Sequence, residues 1–378
     1  MYSRLIVPPV NKSFFLFGPR GTGKTTWVKS TFPEAVYLDL LEAELYNDLL
    51  ANPGRLESLI PKNFKSWVVI DEVQRIPELL NEVHRLIESE KFKFILTGSS
   101  ARKLRKKGQN LLGGRALTYF MHPLTASELK NDFNLSKAMQ FGQLPSVYGE
   151  EDPKKYLESY VNTYLEEEVR QEGLTRNIGA FARFLEIASF SQGGVLNVSA
   201  ISREAAVERK VAENYFSILE DLLIGYRLPV FSKKAKRRLI THEKFYFFDA
   251  GVYRTLRPAG PLDLPEEIGG ASLETLVFQE LLAINDYLNL GYKLYYYRTA
   301  AGDEVDFILY GEKGLKAIEV KRTAKPTGKM FRGLKTFFQE YPGAKTYLFY
   351  QGKREMREGE IKILPAEEAL KNLGKILA

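Results

Sequence analysis

The sequence of 378 residues contains no cysteine and only 3 histidines. Disulfide bonds are therefore excluded, and zinc sites made of cysteine and histidine are excluded or nearly so. Any bound metal must be held by oxygen ligands, which favours Mg²⁺ or Mn²⁺. The chain also lacks an apolar run near the roughly 18 residues that a membrane span needs, and its first residues lack the apolar core of a signal peptide. These absences predict a cytoplasmic protein with no membrane partner.

What the sequence does contain is ordinary for a soluble globular protein. Hydrophobic residues make up 44% of it and charged residues 27%, as in folded domains with sizeable cores. At roughly 100–200 residues per domain, the length predicts two or three domains. The formal net charge is +7, which suits a polyanionic partner.

Residues 13–124 alternate short apolar runs with helical patterns, which is typical of a parallel α/β sheet. The first, third and fourth runs are apolar on both faces, as central parallel strands are. The predicted strands are SFFLFG, AVYLDL, SWVVIDE, KFKFILTGS and ALTYFMHPL.

After this region the pattern changes twice. It is helical from about Lys154 to Ala250, and the segment RPAGPLDLPEEIGG then indicates a linker. One helix, SLETLVFQELLAINDYLN, follows, and the strands after it are KLYYYRT, EVDFILY, LKAIEVKR and KTYLFYQ. We therefore expect three domains, at residues 1–150, 151–260 and 261–378.

A phosphate-binding loop follows the first predicted strand. Residues 18–25, GPRGTGKT, fit the pattern G-x-x-x-x-G-K-[ST] in its required place before a helix. Glycines let backbone N–H groups surround phosphates at a helix N-terminus, Lys24 can reach the β- and γ-phosphates, and Thr25 can place its hydroxyl on Mg²⁺. The predicted nucleotide-binding residues are Gly18, Pro19, Arg20, Gly21, Thr22, Gly23, Lys24, Thr25 and Thr26.

An acidic pair, Asp71 and Glu72, ends the third apolar strand. Asp71 is expected to hold Mg²⁺ together with Thr25, and Glu72 is expected to activate the attacking water. A water-activating glutamate favours hydrolysis of ATP over transfer of its phosphate to a small molecule. The next strand ends in LTGSS, where Ser99, or failing that Thr97, can contact the γ-phosphate; a helix-capping serine is the alternative.

Arg115, in the segment LLGGRAL, has two interpretations. As an arginine finger it would reach the γ-phosphate held by a neighbouring subunit, which requires a homo-oligomer. Alternatively, it is a plain surface arginine or one that contacts a phosphate.

The segments GPRGTGKTT, VVIDEVQRIPELL, FILTGSS and GGRALTYFMHPLTASEL resemble the AAA-type P-loop ATPases of archaea and bacteria. In that family an ATPase domain precedes a winged helix and a PD-(D/E)XK nuclease-like domain. The resemblance implies a parallel α/β sheet first, a helical and winged-helix domain second, and a small restriction-endonuclease-like α/β domain third. It also implies ATP and Mg²⁺ as cofactors, and Arg170 and Arg176 are both candidates for the family's lid arginine.

The middle segment has the pattern of a winged helix-turn-helix. A short helix from Ser199, a turn near residues 207–210 and a longer helix to Leu223 fit its length. A β-hairpin is expected to follow, with five cations near its tip that would contact DNA phosphates without reading bases. A solvated turn, or a winged helix that binds protein, is the alternative. The cations are Lys233, Lys234, Lys236, Arg237 and Arg238.

Residues 302–322, GDEVDFILYGEKGLKAIEVKR, predict two strands joined by a tight turn. Because alternate residues of a strand share a face, Asp306 and Glu319 can converge on one Mg²⁺ or Mn²⁺, with Lys321 beside the attacking water. This arrangement resembles PD-(D/E)XK nucleases, in which the preceding helix often adds a carboxylate, and Glu280 stands in that place. Two functions are compatible with this arrangement: the domain cleaves nucleic acid, or it binds nucleic acid as a clamp without cutting it.

The sequence thus predicts an AAA-type ATPase that hydrolyses ATP, acts on DNA and carries a nuclease-like domain of unsettled activity. The alternative is a regulatory or scaffold protein that is switched by nucleotide and binds protein partners. Salt-dependent affinity for DNA favours the first interpretation. A tight protein complex without DNA affinity favours the second.

Overall fold

The structure, a computed structural model, describes residues 2–100, 104, 112–165, 177–232 and 242–378. The chain divides into two compact units. The N-terminal unit comprises Ile6–His122 and Asp221–Leu223, and the C-terminal unit comprises Met1–Leu5, Pro123–Glu220 and Ile224–Ala378. Across the described ranges, a helix with the length and apolar character of a membrane span is absent.

Five strands form the sheet of the N-terminal unit. They are β1 (Ser13–Phe17), β2 (Val36–Asp39), β3 (Trp67–Asp71), β4 (Lys93–Gly98) and β5 (Ala116–Phe120). All pairings are parallel, in the order β2-β3-β4-β1-β5. Each strand lies within a run predicted from the sequence, and β1 and β3 are buried along their whole length. The predicted parallel α/β sheet is confirmed.

In the described part of this unit, the strands are connected by α1 (Lys24–Thr31), α2 (Ala43–Ala51) and α3 (Leu79–Ser89). Short 3₁₀ helices lie at Pro53–Leu59 and Val73–Arg75. The apolar residues of α3 recur at helical spacing, and the buried ones are Leu79, Leu80, Val83 and Leu86. Because all five strands run the same way, β1, β3 and β4 end at one edge of the sheet, where open α/β sheets bind ligands.

The C-terminal unit begins with helices. They are α4 (Ala126–Leu129), α5 (Leu135–Phe141), α6 (Pro145–Tyr148), α7 (Pro153–Ser159), α8 (Ile178–Ser189), α9 (Val198–Glu204) and α10 (Arg209–Asp221), with a 3₁₀ turn at Lys130–Asp132 and a π-helical turn at Tyr160–Leu165. Asn177 and Asn197 fix the starts of α8 and α9, because each side chain accepts a hydrogen bond from the backbone N–H three residues on.

Two strands, β6 (Gly225–Leu228) and β7 (Lys244–Phe247), form an antiparallel pair after α10. Helices α9 and α10 lie where the sequence places two helices, and the strand pair follows them in the predicted order. The assignment of this segment as a DNA-binding winged helix stays a prediction.

A second sheet contains β8 (Lys293–Arg298), β9 (Glu304–Gly311), β10 (Gly314–Lys321), β11 (Lys345–Tyr350), β12 (Met356–Glu358) and β13 (Ile361–Pro365). Its order is β12-β13-β11-β10-β9-β8. Strand β9 is antiparallel to both neighbours, whereas β10, β11 and β13 run parallel. Strands β8 to β11 were predicted from the sequence, and β12 and β13 were not.

The remaining helices are α11 (Ala250–Leu256), α12 (Pro265–Tyr287), α13 (Arg332–Glu340), α14 (Ala366–Lys371) and α15 (Leu373–Leu377), with a 3₁₀ turn at Gly328–Phe331. Helix α12 is buried along most of its length. Its Phe278 ring stacks on Tyr246 of β7 and Phe307 of β9, at centroid distances of 4.6 and 6.0 Å. These aromatic contacts fix α12 against both strands.

Candidate nucleotide site and acidic cluster

The phosphate-binding loop joins β1 to α1. Lys24 is buried, and its Nζ donates to the carbonyl oxygens of Gly18 and Pro19 at 2.6 and 3.1 Å. The Thr22 hydroxyl also donates to the Pro19 carbonyl, at 2.8 Å. The lysine charge is thus held inside the loop at the start of α1, as the sequence pattern predicts.

The glycines of this loop are required by its geometry. Gly21 and Gly23 have φ angles of 82° and 87°, which side chains rarely adopt. At Gly18 a Cβ atom would lie 2.3 Å from the Met121 carbonyl oxygen, which is too close for a real contact. Among the described residues, no side chain caps α1 at Gly23. The first N–H groups of that helix can therefore donate to a phosphate.

Asp71, the last residue of β3, is surrounded by hydroxyl groups. Its Oδ2 accepts hydrogen bonds from the Thr25 hydroxyl, at 2.9 Å, and from the Tyr37 hydroxyl. Its Oδ1 accepts from the Thr97 hydroxyl. Burial and the bond to Asp71 raise the pKa of Tyr37 well above its usual range. The two predicted Mg²⁺ ligands, Thr25 and Asp71, are therefore in direct contact.

Glu72 is linked to Ser99 through a residue that the sequence did not predict. Gln74 Nε2 donates to Glu72 Oε2 and, at 3.3 Å, to Ser99 Oγ. A Cβ atom at Gly98 would lie 2.3 Å from Gln74 Oε1, so glycine leaves the room that Gln74 needs. Glu72 itself has a φ of 59°, a left-handed conformation that is uncommon outside glycine and clusters at functional sites.

These groups fit a nucleoside triphosphate with Mg²⁺. The Thr25 hydroxyl and the Asp71 carboxylate supply hard oxygen ligands, and Mg²⁺ usually keeps several waters beside one or two such protein ligands. Lys24 and the N–H groups at the start of α1 supply positive charge and donors for the phosphates.

Arg115 lies far from the phosphate-binding loop of its own chain. It directly precedes β5, and Ala116 of β5 pairs with Ser13, the first residue of β1. The length of β1, roughly 15 Å at the usual rise per residue, therefore separates Arg115 from the loop. Its side chain is 41% exposed and its guanidinium pairs with Glu88 of α3, and this pairing lowers the Glu88 pKa. The predicted finger role therefore requires a neighbouring subunit.

Two groups of predicted residues lie outside the described ranges. The cations predicted for the hairpin tip fall in the connection between β6 and β7, and they are Lys233, Lys234, Lys236, Arg237 and Arg238. The lid-arginine candidates Arg170 and Arg176 also lie outside the described ranges.

In the C-terminal unit, the predicted acidic pair comes together across β9 and β10. The Asp306 N–H donates to Glu319 Oε2 at 3.3 Å, and the Val320 N–H donates to Asp306 Oδ2 at 2.8 Å. Lys321 Nζ pairs with Glu319 Oε1 at 2.5 Å. Burial, and then the nearby Asp306, raise the pKa of Glu319 to about 8. Asp306, Glu319 and Lys321 are thus neighbours, as the hairpin predicts.

Lys244 and Glu274, which the sequence did not predict, complete this group together with Glu304. Lys244 Nζ of β7 lies 2.6 Å from Glu304 Oε1, 3.3 Å from Glu274 Oε1 and 3.5 Å from Asp306 Oδ1. The Tyr246 hydroxyl also donates to Glu274. Burial, and then Asp306, raise the pKa of Glu274 to about 7. The acidic cluster is defined here as Lys244, Glu274, Glu304, Asp306, Glu319 and Lys321.

The acidic cluster contains ammonium groups as well as carboxylates. Over the part of the chain that the structure describes, no three or more histidine or acidic side chains are arranged to hold a metal ion. The groups that contact the carboxylates of Glu274, Glu304 and Asp306 include an ammonium, that of Lys244.

Glu280 does not join the acidic cluster, contrary to the prediction. It follows Glu274 by six residues on α12, which rotates its side chain by roughly 240° about the helix axis. Its Oε1 accepts hydrogen bonds from the Ala126 N–H at 2.6 Å and from Gln143 Nε2 at 3.0 Å. Burial raises its pKa to about 8. Glu280 therefore contacts the start of α4 and Gln143 rather than the acidic cluster.

Comparison with known families gives three consecutive matches. Residues 10–130 match the AAA domain, and residues 132–263 and 269–369 match two domains of unknown function, DUF8612 and DUF4143. The first match and the loop geometry support an AAA-type P-loop domain in the N-terminal unit. The other two matches carry no functional description, so the winged helix and the nuclease-like domain stay predictions.

Similar proteins extend across both units. An uncharacterized protein of Mycobacterium tuberculosis is 25% identical over 367 residues, which cover 94% of this chain and 80% of the relative. An uncharacterized protein of Methanocaldococcus jannaschii is 25% identical over 335 residues, which cover 80% of this chain and 73% of the relative.

Likeness to solved structures is weak. The Aeropyrum pernix Orc1 protein in complex with DNA has a TM-score of 0.30 at 16% identity, covering 66% of this chain and 87% of that chain. Protein VC1899 from Vibrio cholerae has a TM-score of 0.23 at 11% identity, covering 91% of this chain and 97% of that chain. TM-scores this low support no argument about this chain.

Proposed function

We propose that this chain binds ATP with Mg²⁺ at residues 18–25 and hydrolyses it. One observation carries the proposal: Lys24, Thr25, Asp71 and Glu72 meet at one edge of the parallel sheet, beside the uncapped start of α1. Phosphoryl transfer to water is catalysed mainly by positioning the reactants and by stabilising charge. Each of the four residues can serve one of these two purposes.

The roles follow from the contacts. When ATP binds, Lys24 gives up its hydrogen bonds to the loop carbonyls and binds the β- and γ-phosphates instead. Hydrogen bonds to these negatively charged oxygens are stronger than hydrogen bonds to neutral carbonyls. Thr25 and Asp71 would hold Mg²⁺, and the bound ion would neutralise charge on the phosphate oxygens. Glu72 takes the proton of the attacking water, and Gln74 keeps the Glu72 carboxylate in place through its amide.

We further propose that the C-terminal unit contacts DNA through its β6–β7 hairpin. The two strands are antiparallel, and the connection between them contains five cations within six residues. Five cations can neutralise several phosphates of the DNA backbone. Contacts of this kind do not distinguish one base sequence from another. The net charge of +7 is in keeping with a polyanionic partner.

The experiment is the rate of phosphate release from ATP by the full chain, with single-stranded, duplex or branched DNA and without nucleic acid. We expect turnover that requires Mg²⁺ and rises with at least one form of DNA. Replacing all five hairpin cations by alanine should keep the basal rate and remove the stimulation. Each lost phosphate contact should also flatten the slope of log K against log salt by about 0.7–0.9.

Two results would contradict the DNA proposal. Stimulation that survives replacement of the five cations would place the DNA contact elsewhere on the chain. ATP turnover without any DNA affinity, combined with a tight protein complex, would favour a nucleotide-switched regulatory or scaffold protein.

We also propose that Arg115 completes the ATP site of a neighbouring subunit. Arg115→Ala should lower turnover with little change in ATP affinity, because a finger stabilises charge that develops in the transition state. Mixing gives the sharper measurement. Inactive Lys24→Ala subunits, which keep Arg115, should restore turnover by Arg115→Ala subunits.

The Glu88→Gln variant is the control for this experiment, because it removes the ion pair with Arg115 and keeps the guanidinium. It should retain turnover. Failure of the mixture to regain activity, or hydrolysis at the full rate by a monomer, would rule out the finger role.

A further inference from the structure

The Lys244 ammonium lies among the carboxylates of the acidic cluster. The Lys244 side chain is only 2% exposed, and its Nζ contacts carboxylates from α12 and from β9 at 2.6 to 3.5 Å. The Tyr296 ring covers it further, with its centroid 5.5 Å from Nζ. Lys244 is therefore an interior residue whose charge is directed at the cluster.

The carboxylates need this charge. Glu274, Glu304, Asp306 and Glu319 lie close together, and without cations they would repel and raise one another's pKa. Buried charges persist when they are paired and hydrogen-bonded. Lys244 pairs with the first three of these carboxylates and Lys321 pairs with Glu319. The two lysines thus provide an internal source of compensating charge.

A divalent metal does not fit beside Lys244. Mg²⁺ binds oxygens at about 2.0–2.1 Å and tolerates little departure from octahedral geometry. An ion bound at that distance to Glu274, Glu304 and Asp306 would occupy the space that Lys244 Nζ holds. Two cations would then share one buried site, where their repulsion is stronger than in water.

We propose that Lys244 is the built-in counter-ion of the acidic cluster and that the native chain binds no divalent metal there. The inference does not depend on ATP hydrolysis, because Lys244 and its partners all lie in the C-terminal unit.

The test measures Mn²⁺ binding to the full chain, without nucleotide, by electron paramagnetic resonance. The wild type and Asp306→Asn should bind Mn²⁺ equally, because the acidic cluster contributes no Mn²⁺ site in either protein. Lys244→Met should gain a Mn²⁺ site, and Lys244→Met combined with Asp306→Asn should lose it again. Mn²⁺ should also raise the melting temperature of Lys244→Met relative to its metal-free form. Lys244→Arg, the matched control, keeps the cation and should gain no site.

Two results would overturn the proposal: Mn²⁺ binding by the wild type that Asp306→Asn removes, or equal Mn²⁺ affinity of the wild type and Lys244→Met. If Lys244→Met does not fold, Lys244→Met combined with Glu304→Gln takes its place, because it removes one carboxylate together with the ammonium. The comparison of the wild type with Asp306→Asn needs no lysine variant and decides the question by itself.

Discussion

Replacing Glu72 by glutamine should lower ATP turnover by about 10²–10⁴, the usual contribution of a general base, and should leave ATP affinity close to that of the wild type. Glutamine keeps the shape of the side chain and can still accept the hydrogen bond that Gln74 donates. It cannot take a proton from water. Steady-state phosphate release and titration with a fluorescent ATP analogue measure the two quantities separately.

Glu90→Gln is the control for this result. Glu90 directly follows α3, is exposed, and lies in the same unit, so its substitution makes the same chemical change away from the site. It should turn over ATP at the wild-type rate. Turnover by Glu72→Gln at that same rate would remove the assignment of Glu72 as the residue that activates water.

Replacing Lys24 by alanine should weaken ATP binding by roughly 10- to 100-fold, the equivalent of one hydrogen bond to a charged group. Turnover should fall further, because the cation also stabilises charge that develops on the γ-phosphate. Equilibrium titration with a non-hydrolysable ATP analogue and Mg²⁺ measures the affinity. Circular dichroism checks that the loop change leaves the fold intact.

Lys29→Ala provides the matched comparison for Lys24, because Lys29 is an exposed cation on the same helix, α1. Its Nζ lies over the Tyr37 ring, 4.5 Å from the centroid, and it is not part of the phosphate-binding loop. We expect its removal to leave ATP affinity nearly unchanged. Equal affinity losses in the two variants would mean that Lys24 acts only through the net charge of the unit.

Much of the nucleotide site was predictable because it depends on local sequence and on strand order. Residues 18–25 form the loop from one stretch of chain, and parallel strands bring Asp71 and Ser99 to the same sheet edge. Gln74 was not predictable, since its place depends on the 3₁₀ turn at Val73–Arg75 and on the room left by Gly98.

The acidic cluster shows where sequence reasoning fails. The hairpin register predicts that Asp306 and Glu319 meet, because alternate residues of a strand share a face. The choice between Glu274 and Glu280 depends on how α12 is rotated, and the stacking of Phe278 on Tyr246 fixes that rotation. Lys244 begins β7, which precedes α12, β9 and β10 in the chain. It was not predicted because a lysine at the start of an apolar strand matches no motif.

The most direct test of the central claim is a single-turnover experiment, in which the wild-type chain is in excess over labelled ATP with Mg²⁺. Protein-bound nucleotide is separated at intervals and its ATP and ADP are quantified. If residues 18–25, Asp71 and Glu72 form a hydrolytic site, bound ATP is converted to ADP in the wild type, persists far longer in Glu72→Gln and is retained far less by Lys24→Ala. ATP that the wild type binds and leaves intact would contradict hydrolysis and would identify the site as a nucleotide switch.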